Sequence, residues 1–194
     1  MKANLRLIAV LAAFAAGAAA IAAVVVVALP PAHTQPSAVG GPFRLLDQDG
    51  RRVTEADFRG KPFLVFFGFT HCPDICPTAL FEMSEVLRRL GPDAANTAVL
   101  FISVDPERDT PAKLKEYLSS FHPRIVGLTG SLQEIADVEK AYRVYAKKVP
   151  LEGGDYTMDH SAIVYLMDKD GRFVAPFNLK RTPEAAAIDL RRYL

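Results

Sequence analysis

Two features that would assign this 194-residue chain to common functional classes are missing from its sequence. Its formal net charge is only +1, so it has neither the basic field that binds nucleic acid nor an acidic field for cationic partners. It has only two cysteines, Cys72 and Cys76, whereas a disulfide framework uses more cysteines spread along the chain. A single close pair of cysteines indicates redox chemistry or a metal site instead.

Charged and polar residues are also absent from a long stretch near the N-terminus, residues 7–29. As a helix, these ~23 residues span roughly 34 Å, against a hydrocarbon core of about 30 Å. Lys2 and Arg6 precede the stretch, and the next cation is Arg44. The positive-inside rule therefore predicts a cytoplasmic segment 1–6, a transmembrane anchor 7–29 and a domain on the periplasmic side of the inner membrane, or an equivalent extracytoplasmic side.

A cleaved signal peptide is the alternative interpretation of this stretch. Signal peptides have a shorter apolar core of about 7–15 residues, which favours an uncleaved anchor. Small residues such as Ala18, Ala20 and Ala22 still offer a cleavage site. The next segment, 30–42, is rich in proline and glycine and lacks a periodic apolar pattern, so we expect a semi-rigid linker.

Residues 43–194 carry the pattern of one folded domain. The sequence predicts a hairpin at 43–53 with a turn at Asp49–Gly50, strands at 63–69, 98–104 and 124–128, helices at 77–90, 111–121 and 131–145, a second hairpin at 162–177, and a helix from Thr182 onward. Strands alternating with helices predict parallel pairing, and the last two strands form an antiparallel hairpin. The predicted class is α/β: a thioredoxin-like domain with a central mixed sheet, flanking helices and an extra N-terminal hairpin.

The cysteines stand at the carboxyl end of the first buried strand, where open α/β sheets form their sites. Pro77 fits the first turn of the following helix, which puts Cys76 at the helix N-terminus, where the dipole favours a thiolate. Three residues separate Cys72 from Cys76. This spacing still permits a disulfide, and it suits two sulfurs that bind one metal ion. A purely structural disulfide is the less favoured alternative, because so short a loop constrains little chain entropy.

Two soft thiolates suit Cu(I) or Zn(II), and a third ligand has to come from elsewhere. His160 has the best position, just before the strand predicted from residue 162. His71 adjoins Cys72, which is expected to turn it away from the same ion. His122 is predicted to end a helix, where a protonated imidazole pairs with the dipole.

The residues near these candidate ligands have less specific predicted roles. Met158 is expected to pack in the core rather than to bind metal, and Asp159 to point away from the site. Asp74 either tunes the charge of the site or caps the helix. The loop 105–109 either borders the site or is simply solvated, with Thr110 capping the next helix.

Three segments together resemble the SCO/SenC family of copper-binding assembly proteins. These segments are 69–77 (FTHCPDICP), 103–111 (SVDPERDTP) and 159–171 (DHSAIVYLMDKDG). The resemblance covers residues 43–194 and implies a thioredoxin-like fold that binds copper, as Cu(I) or Cu(II), through Cys72, Cys76 and His160. The loop 147–157 matches nothing that can be carried over from the family.

The resemblance implies a copper chaperone that delivers copper to the binuclear copper centre of cytochrome c oxidase. Its partners would be the copper-bearing subunit of the oxidase and another periplasmic copper chaperone. Two alternatives use the same residues. One is a thiol–disulfide oxidoreductase in which Cys72 and Cys76 are the redox pair that keeps the cysteines of the oxidase reduced. The other is a sensor that reports copper or redox state to a membrane partner.

Overall fold

The computed structural model describes residues 11, 14–17 and 39–194. Contacts divide the chain into two units, Met1–Pro36 and Ser37–Leu194. In the first unit, residue 11 and residues 14–17 are helical and exposed; the rest of the predicted anchor 7–29, the segment 1–6 and most of the linker 30–42 lie outside the described residues. Within the described ranges, no helix is long and apolar enough to cross a membrane.

The second unit contains nine strands and four helices among its described residues. In chain order they are β1 (Arg44–Asp47), β2 (Arg52–Thr54), β3 (Phe63–Gly68), α1 (Ile75–Leu90), β4 (Ala98–Ser103), α2 (Pro111–Leu118), β5 (Ile125–Thr129), α3 (Leu132–Tyr142), β6 (Ala146–Pro150), β7 (Tyr156–His160), β8 (Val164–Met167), β9 (Phe173–Pro176) and α4 (Pro183–Arg191). Short 3-10 turns at Glu55–Phe58, Gly91–Asn96 and Glu152–Gly154 complete it.

Seven strands form one mixed sheet in the order β2-β1-β5-β4-β3-β8-β9. Strand β3 is parallel to β4, β4 is parallel to β5, and β8 is antiparallel to β3. Every residue of β3 is buried, because the strand lies in the interior of the sheet and its side chains are apolar. This arrangement confirms the predicted thioredoxin-like α/β class, including the extra N-terminal hairpin β1–β2.

Helices cover this sheet and close the core. Helix α1 packs against α4, α2 packs along β5, and α3 contacts β1. Helix α3 begins at the predicted capping box, in which Ser131 accepts a hydrogen bond from the backbone of Glu134 and the Glu134 carboxylate accepts one from the backbone of Ser131. Thr110 caps α2 and Thr182 caps α4. In each case the threonine hydroxyl accepts a hydrogen bond from the backbone amide three residues later.

The predicted bounds were wrong at several helix ends. Helix α1 begins at Ile75 rather than at 77, and α2 ends at Leu118 rather than at 121. Helix α3 ends at Tyr142 rather than at 145, because Arg143 adopts a left-handed conformation with φ 57° and turns the chain out of the helix. The last hairpin begins at Val164 rather than at 162.

A second, two-stranded sheet was not predicted at all. Strands β6 and β7 pair antiparallel, with Ala146 opposite His160 and Pro150 opposite Tyr156. No strand was predicted between the helix at 131–145 and the hairpin at 162–177, and residues 147–157 were treated as a loop. The β6–β7 hairpin makes no ladder with the seven-stranded sheet within the described residues, yet it carries His160 at its end.

Candidate metal centre

The cysteine loop connects the end of β3 to the start of α1. The amide of Cys72 donates to the carbonyl of Phe69 at 3.2 Å, which closes a turn. The amide of Cys76, one of the first N–H groups of α1, donates to Cys72 Sγ at 3.4 Å. Because the first amides of a helix have no partner within it, the sulfur of Cys72 satisfies one of them. The earlier start of α1 therefore brings the two cysteines together.

The two thiols differ in their surroundings. Cys72 is partly exposed, whereas Cys76 is fully buried in the core, and neither forms a disulfide. Burial raises the pKa of the Cys76 thiol far above its ordinary value, and the neighbouring Cys72 raises the pKa further. Burial therefore opposes the thiolate that the helix dipole was predicted to favour at Cys76.

Gly68 makes room for the buried sulfur, and sequence reasoning missed this role. A Cβ atom at Gly68 would lie 2.8 Å from Cys76 Sγ and 2.6 Å from the ring of Phe101. Any side chain at this last residue of β3 would push α1 away from the strand. A glycine directly before the cysteine loop is the signal in the sequence, but the clash becomes visible only with the helix in place.

His160 ends β7 and faces the cysteine loop. Its Nε2 lies 3.9 Å from Cys76 Sγ, and its Nδ1 lies 3.1 Å from the carbonyl oxygen of Ser161. Because a carbonyl only accepts, Nδ1 carries the proton and the lone pair of Nε2 points toward the thiols. The ring packs edge-on against Phe69, with centroids 5.8 Å apart, and burial lowers the pKa of His160, which keeps the imidazole neutral.

These three side chains suit a soft metal ion. Cys72 and Cys76 offer two sulfurs and His160 offers an imidazole nitrogen with a free lone pair, a donor set that fits Cu(I) or Zn(II). The carbonyl of Ser161 fixes the ring in the manner typical of metal-bound histidines. A metal at Cys76 would replace the thiol proton that burial otherwise retains.

Another group of potential ligand atoms lies beside the start of the cysteine loop. Among the residues that the structure describes, His71, Asp105 and Asp109 have ligand atoms within 4.8 Å of one another. The carboxylate of Asp109 already accepts from the backbone and hydroxyl of Thr70 and from the hydroxyl of Ser103. Because both carboxylates already accept hydrogen bonds from the protein, they stabilise the loops that carry them. We therefore assign this group a structural role.

The other predicted histidines do not join the cysteines. His71 is exposed, and its Nδ1 lies 3.2 Å from the hydroxyl of Thr70, so it turns away from the site as expected. His122 lies beyond the end of α2, and its Nδ1 accepts from the backbone of Arg124 at 3.2 Å. Burial, with the positive charges of Arg88 and Arg124, lowers the pKa of His122, so the predicted protonated imidazole at a helix end is wrong.

The remaining neighbours have identifiable structural positions. Met158 packs against the core, as predicted, and Asp159 is exposed. Asp74 occupies the N-cap of α1, but its carboxylate accepts no hydrogen bond from the helix amides. The loop 105–109 is not a solvated loop, because Asp105 and Asp109 are only 2% and 0% exposed. Because the carboxylate of Asp109 accepts hydrogen bonds from Thr70, the loop 105–109 borders the cysteine loop.

An apolar groove of about 710 Å³ adjoins the site. Ile75, from between the two cysteines, and Ile163, three residues after His160, both line this groove. Both side chains are exposed, at 53% and 43%. The candidate metal centre therefore lies at the edge of an open apolar surface.

The chain is similar to one group of known proteins. The model of the family described as SCO1/SenC matches residues 31–194. The mitochondrial SCO2 homolog of Bos taurus is 47% identical over 162 residues, which make up 81% of this chain and 61% of the bovine protein. The chain thus spans about three fifths of the length of that relative.

Solved structures give the same grouping. ScoI of Bradyrhizobium japonicum, solved with copper bound, has a TM-score of 0.79 and 67% identity, with 80% of this chain and 99% of that chain covered. BsSco, a member of the Sco family of cytochrome c oxidase assembly proteins in which a disulfide switch was identified, has a TM-score of 0.63 and 30% identity, with 81% and 95% covered.

Proposed function

Since this chain belongs to the SCO1/SenC family, we propose that it is a copper chaperone that binds copper through Cys72, Cys76 and His160 and delivers it to the copper-bearing subunit of cytochrome c oxidase. The observation that carries the proposal is the approach of His160 Nε2 to Cys76 Sγ at 3.9 Å, with Nδ1 occupied by a carbonyl. Two relatives support it, one solved with copper bound and one described as an oxidase assembly protein.

The unequal cysteines suit a protein that holds copper and then releases it. Buried Cys76 gives one ligand protected from solvent, while Cys72 is partly exposed at the surface. A receiving thiolate can reach a metal from the Cys72 side and exchange with one ligand at a time. Copper is thus the cargo of this site, and its binding releases protons from the thiols.

The proposal includes an anchor at residues 7–29 and a linker at 30–42 that holds the domain on the periplasmic side of the inner membrane. There it would take copper from another periplasmic chaperone and pass it to the oxidase. The exposed Ile75 and Ile163 beside the site would contact apolar surface on the receiving subunit.

Replacing His160 with alanine tests the three-ligand site. We expect His160→Ala to weaken copper binding by at least about tenfold, because one of three ligands is lost. The cysteines should still form a disulfide under oxidation. Copper affinity is measured by competition with a chromophoric chelator, using the full chain purified in detergent, and free thiols are counted before and after oxidation.

His71→Ala is the matched control for this experiment. His71 adjoins Cys72 but turns toward Thr70, so its removal should leave copper affinity unchanged. Equal copper affinity in His160→Ala and the wild type would refute the three-ligand site. A loss of affinity in His71→Ala equal to that in His160→Ala would show that the third ligand had been assigned wrongly.

A thiol–disulfide oxidoreductase is the second candidate. It is favoured by the closeness of the two free cysteines, with the amide of Cys76 3.4 Å from Cys72 Sγ, and by the disulfide switch in the relative BsSco. A reductase needs a strongly reducing pair with a potential near about −270 mV, and a value near about −180 mV or higher would count against it. Equilibration of the full chain with glutathione buffers measures this potential.

A further inference from the structure

Arg108 joins two parts of the molecule that the main sheet does not connect. It lies in the loop between β4 and α2, and its Nε donates to Asp105 Oδ2 at 2.5 Å. Its Nη1 reaches across to the β6–β7 hairpin and donates to the carbonyl of Tyr156 at 2.9 Å and to Asp155 Oδ1 at 3.2 Å. The Arg108 side chain is only 17% exposed and that of Asp105 only 2%, so this ion pair is largely shielded from water, whereas Asp155 is 69% exposed.

The side chain of Tyr156 closes the same contact from the hairpin. Its hydroxyl donates to Asp105 Oδ1 at 2.8 Å, and its ring lies under the guanidinium of Arg108, 3.7 Å from centroid to Cζ. Both carboxylate oxygens of Asp105 therefore have donors, one from each partner. Arg108 and Asp105 thus form a largely buried ion pair, in which Arg108 Nη2 has no hydrogen-bond partner among the described residues. Losing one member of such a pair leaves the other charge buried and unpaired.

The hairpin needs an anchor of this kind. A two-stranded hairpin is marginally stable alone in water, and within the described residues β6 and β7 make no ladder with the seven-stranded sheet. Strand β7 runs from Tyr156 directly to His160, a distance of roughly 13 Å along the strand. A contact that fixes one end of so short a strand also limits the movement of the other end.

Phe69 provides a second connection between Arg108 and His160. The guanidinium of Arg108 lies 6.0 Å from the centroid of the Phe69 ring, and His160 packs edge-on against the same ring. Phe69 is 2% exposed and belongs to the cysteine loop. Arg108 thus touches both the strand that carries His160 and the ring on which His160 rests.

We infer that Arg108, held by Asp105 and Tyr156, is a positioning residue that fixes the β6–β7 hairpin and thereby keeps His160 Nε2 beside the cysteines. The inference rests on the proposed role of His160 as a metal ligand. It also gives a function to the segment SVDPERDTP, which is remote from the cysteines in sequence. The guanidinium fork is essential, because a lysine cannot bond Asp105 and the hairpin together while stacking on an aromatic ring.

Arg108→Lys and Tyr156→Phe test the inference in the full chain purified in detergent. Arg108→Lys should weaken copper binding about tenfold, the effect of removing an outer contact of a metal ligand, and Tyr156→Phe should weaken it less. The absorption and electron paramagnetic resonance spectra of the Cu(II) form should shift toward those of His160→Ala. In the metal-free chain, amides of β6 and β7 should exchange hydrogen faster.

Lys147→Gln is the matched control, since it removes an exposed cation from the same hairpin outside the contacts described above. It should leave affinity, spectra and amide exchange as in the wild type. If Arg108→Lys lowers thermal stability but leaves copper affinity and spectra as in the wild type, the inference is overturned. The role of Arg108 would then be structural only.

A double-mutant cycle separates this inference from the proposed function. If Arg108 acts through His160, Arg108→Lys should weaken copper binding about tenfold in the wild type and by less than about twofold in His160→Ala. An equal effect in both backgrounds overturns the positioning role while the ligand assignment stands. If His160→Ala alone leaves affinity unchanged, the ligand assignment fails, and the inference fails with it.

Discussion

At the scale of single residues, the two cysteines are chemically unequal before any metal binds. Cys76 has no solvent-exposed surface and a raised pKa, whereas Cys72 is partly exposed and its sulfur accepts a helix amide. Thiol reactivity depends on both access and thiolate content. The first sulfur to meet an oxidant, an alkylating reagent or an incoming metal is therefore that of Cys72.

This inequality predicts the order of chemical modification. Iodoacetamide at neutral pH should alkylate Cys72 at least about tenfold faster than Cys76 in the reduced, metal-free chain. Peptide mass spectrometry after timed quenching gives both rates. In urea, where burial is lost, the two rates should become similar. Faster labelling of Cys76 in the folded chain would contradict the assignment of Cys76 as the protected ligand.

At the scale of structural elements, the sequence predicted the main sheet well because its signals are local. The buried strand β3, the capping box at Ser131 and the turn at Asp49–Gly50 each follow from neighbouring residues. The cysteine pair followed from its spacing and its place at the end of a strand, and the family resemblance then strengthened the choice of His160 and of copper. The distance of 3.9 Å between Cys76 Sγ and His160 Nε2 could not be predicted from local patterns, because it depends on the unpredicted β6–β7 hairpin.

The hairpin escaped prediction for a physical reason. Strand β6 has the sequence AKKVP, with little apolar alternation, and it follows directly on the helical pattern of α3. The partners of the hairpin are distant in sequence: Lys148 of β6 pairs with Glu107, and Tyr156 of β7 accepts from Arg108. The left-handed residue Arg143 that separates it from α3 is neither glycine nor asparagine, so no helix stop signal is present there.

The packing of α1 on β3 gives a prediction for Gly68. Gly68→Ala should destabilise the fold by about 1–3 kcal/mol, because the new methyl group would overlap Cys76 Sγ at 2.8 Å and the Phe101 ring at 2.6 Å. Urea unfolding followed by circular dichroism measures the loss. Copper affinity should also fall, since Cys76 would be displaced. Unchanged stability would mean that α1 and β3 are packed less closely than described.

At the scale of the whole molecule, the site joins segments that are far apart in the chain. The cysteines follow β3, Asp105 and Arg108 follow β4, and His160 ends β7. Strands β3 and β4 are parallel neighbours, so their carboxyl ends meet at one edge of the sheet, and the hairpin closes over that edge. A soft metal bound there would link the sheet to the hairpin and stabilise both.

The stability of the whole domain should depend on pH through Glu139 of α3. Burial raises the pKa of Glu139 to about 7 from an ordinary value of 4.5. Between pH 4.5 and about 7, the folded chain keeps this proton while the unfolded chain has released it. The free energy of unfolding therefore falls as the pH rises through this range, and the loss is complete above it.

Glu139→Gln removes this ionisation and should change the pH dependence. The variant should match the wild type near pH 4.5 and be more stable by about 1 kcal/mol at pH 8, since solvent screens part of the shift. Urea unfolding at several pH values measures the difference. Asp137→Asn, at an exposed carboxylate of the same helix, is the control and should show no such gain at high pH. A constant difference between Glu139→Gln and the wild type across the pH range would mean that the carboxyl of Glu139 ionises alike in the folded and unfolded chain.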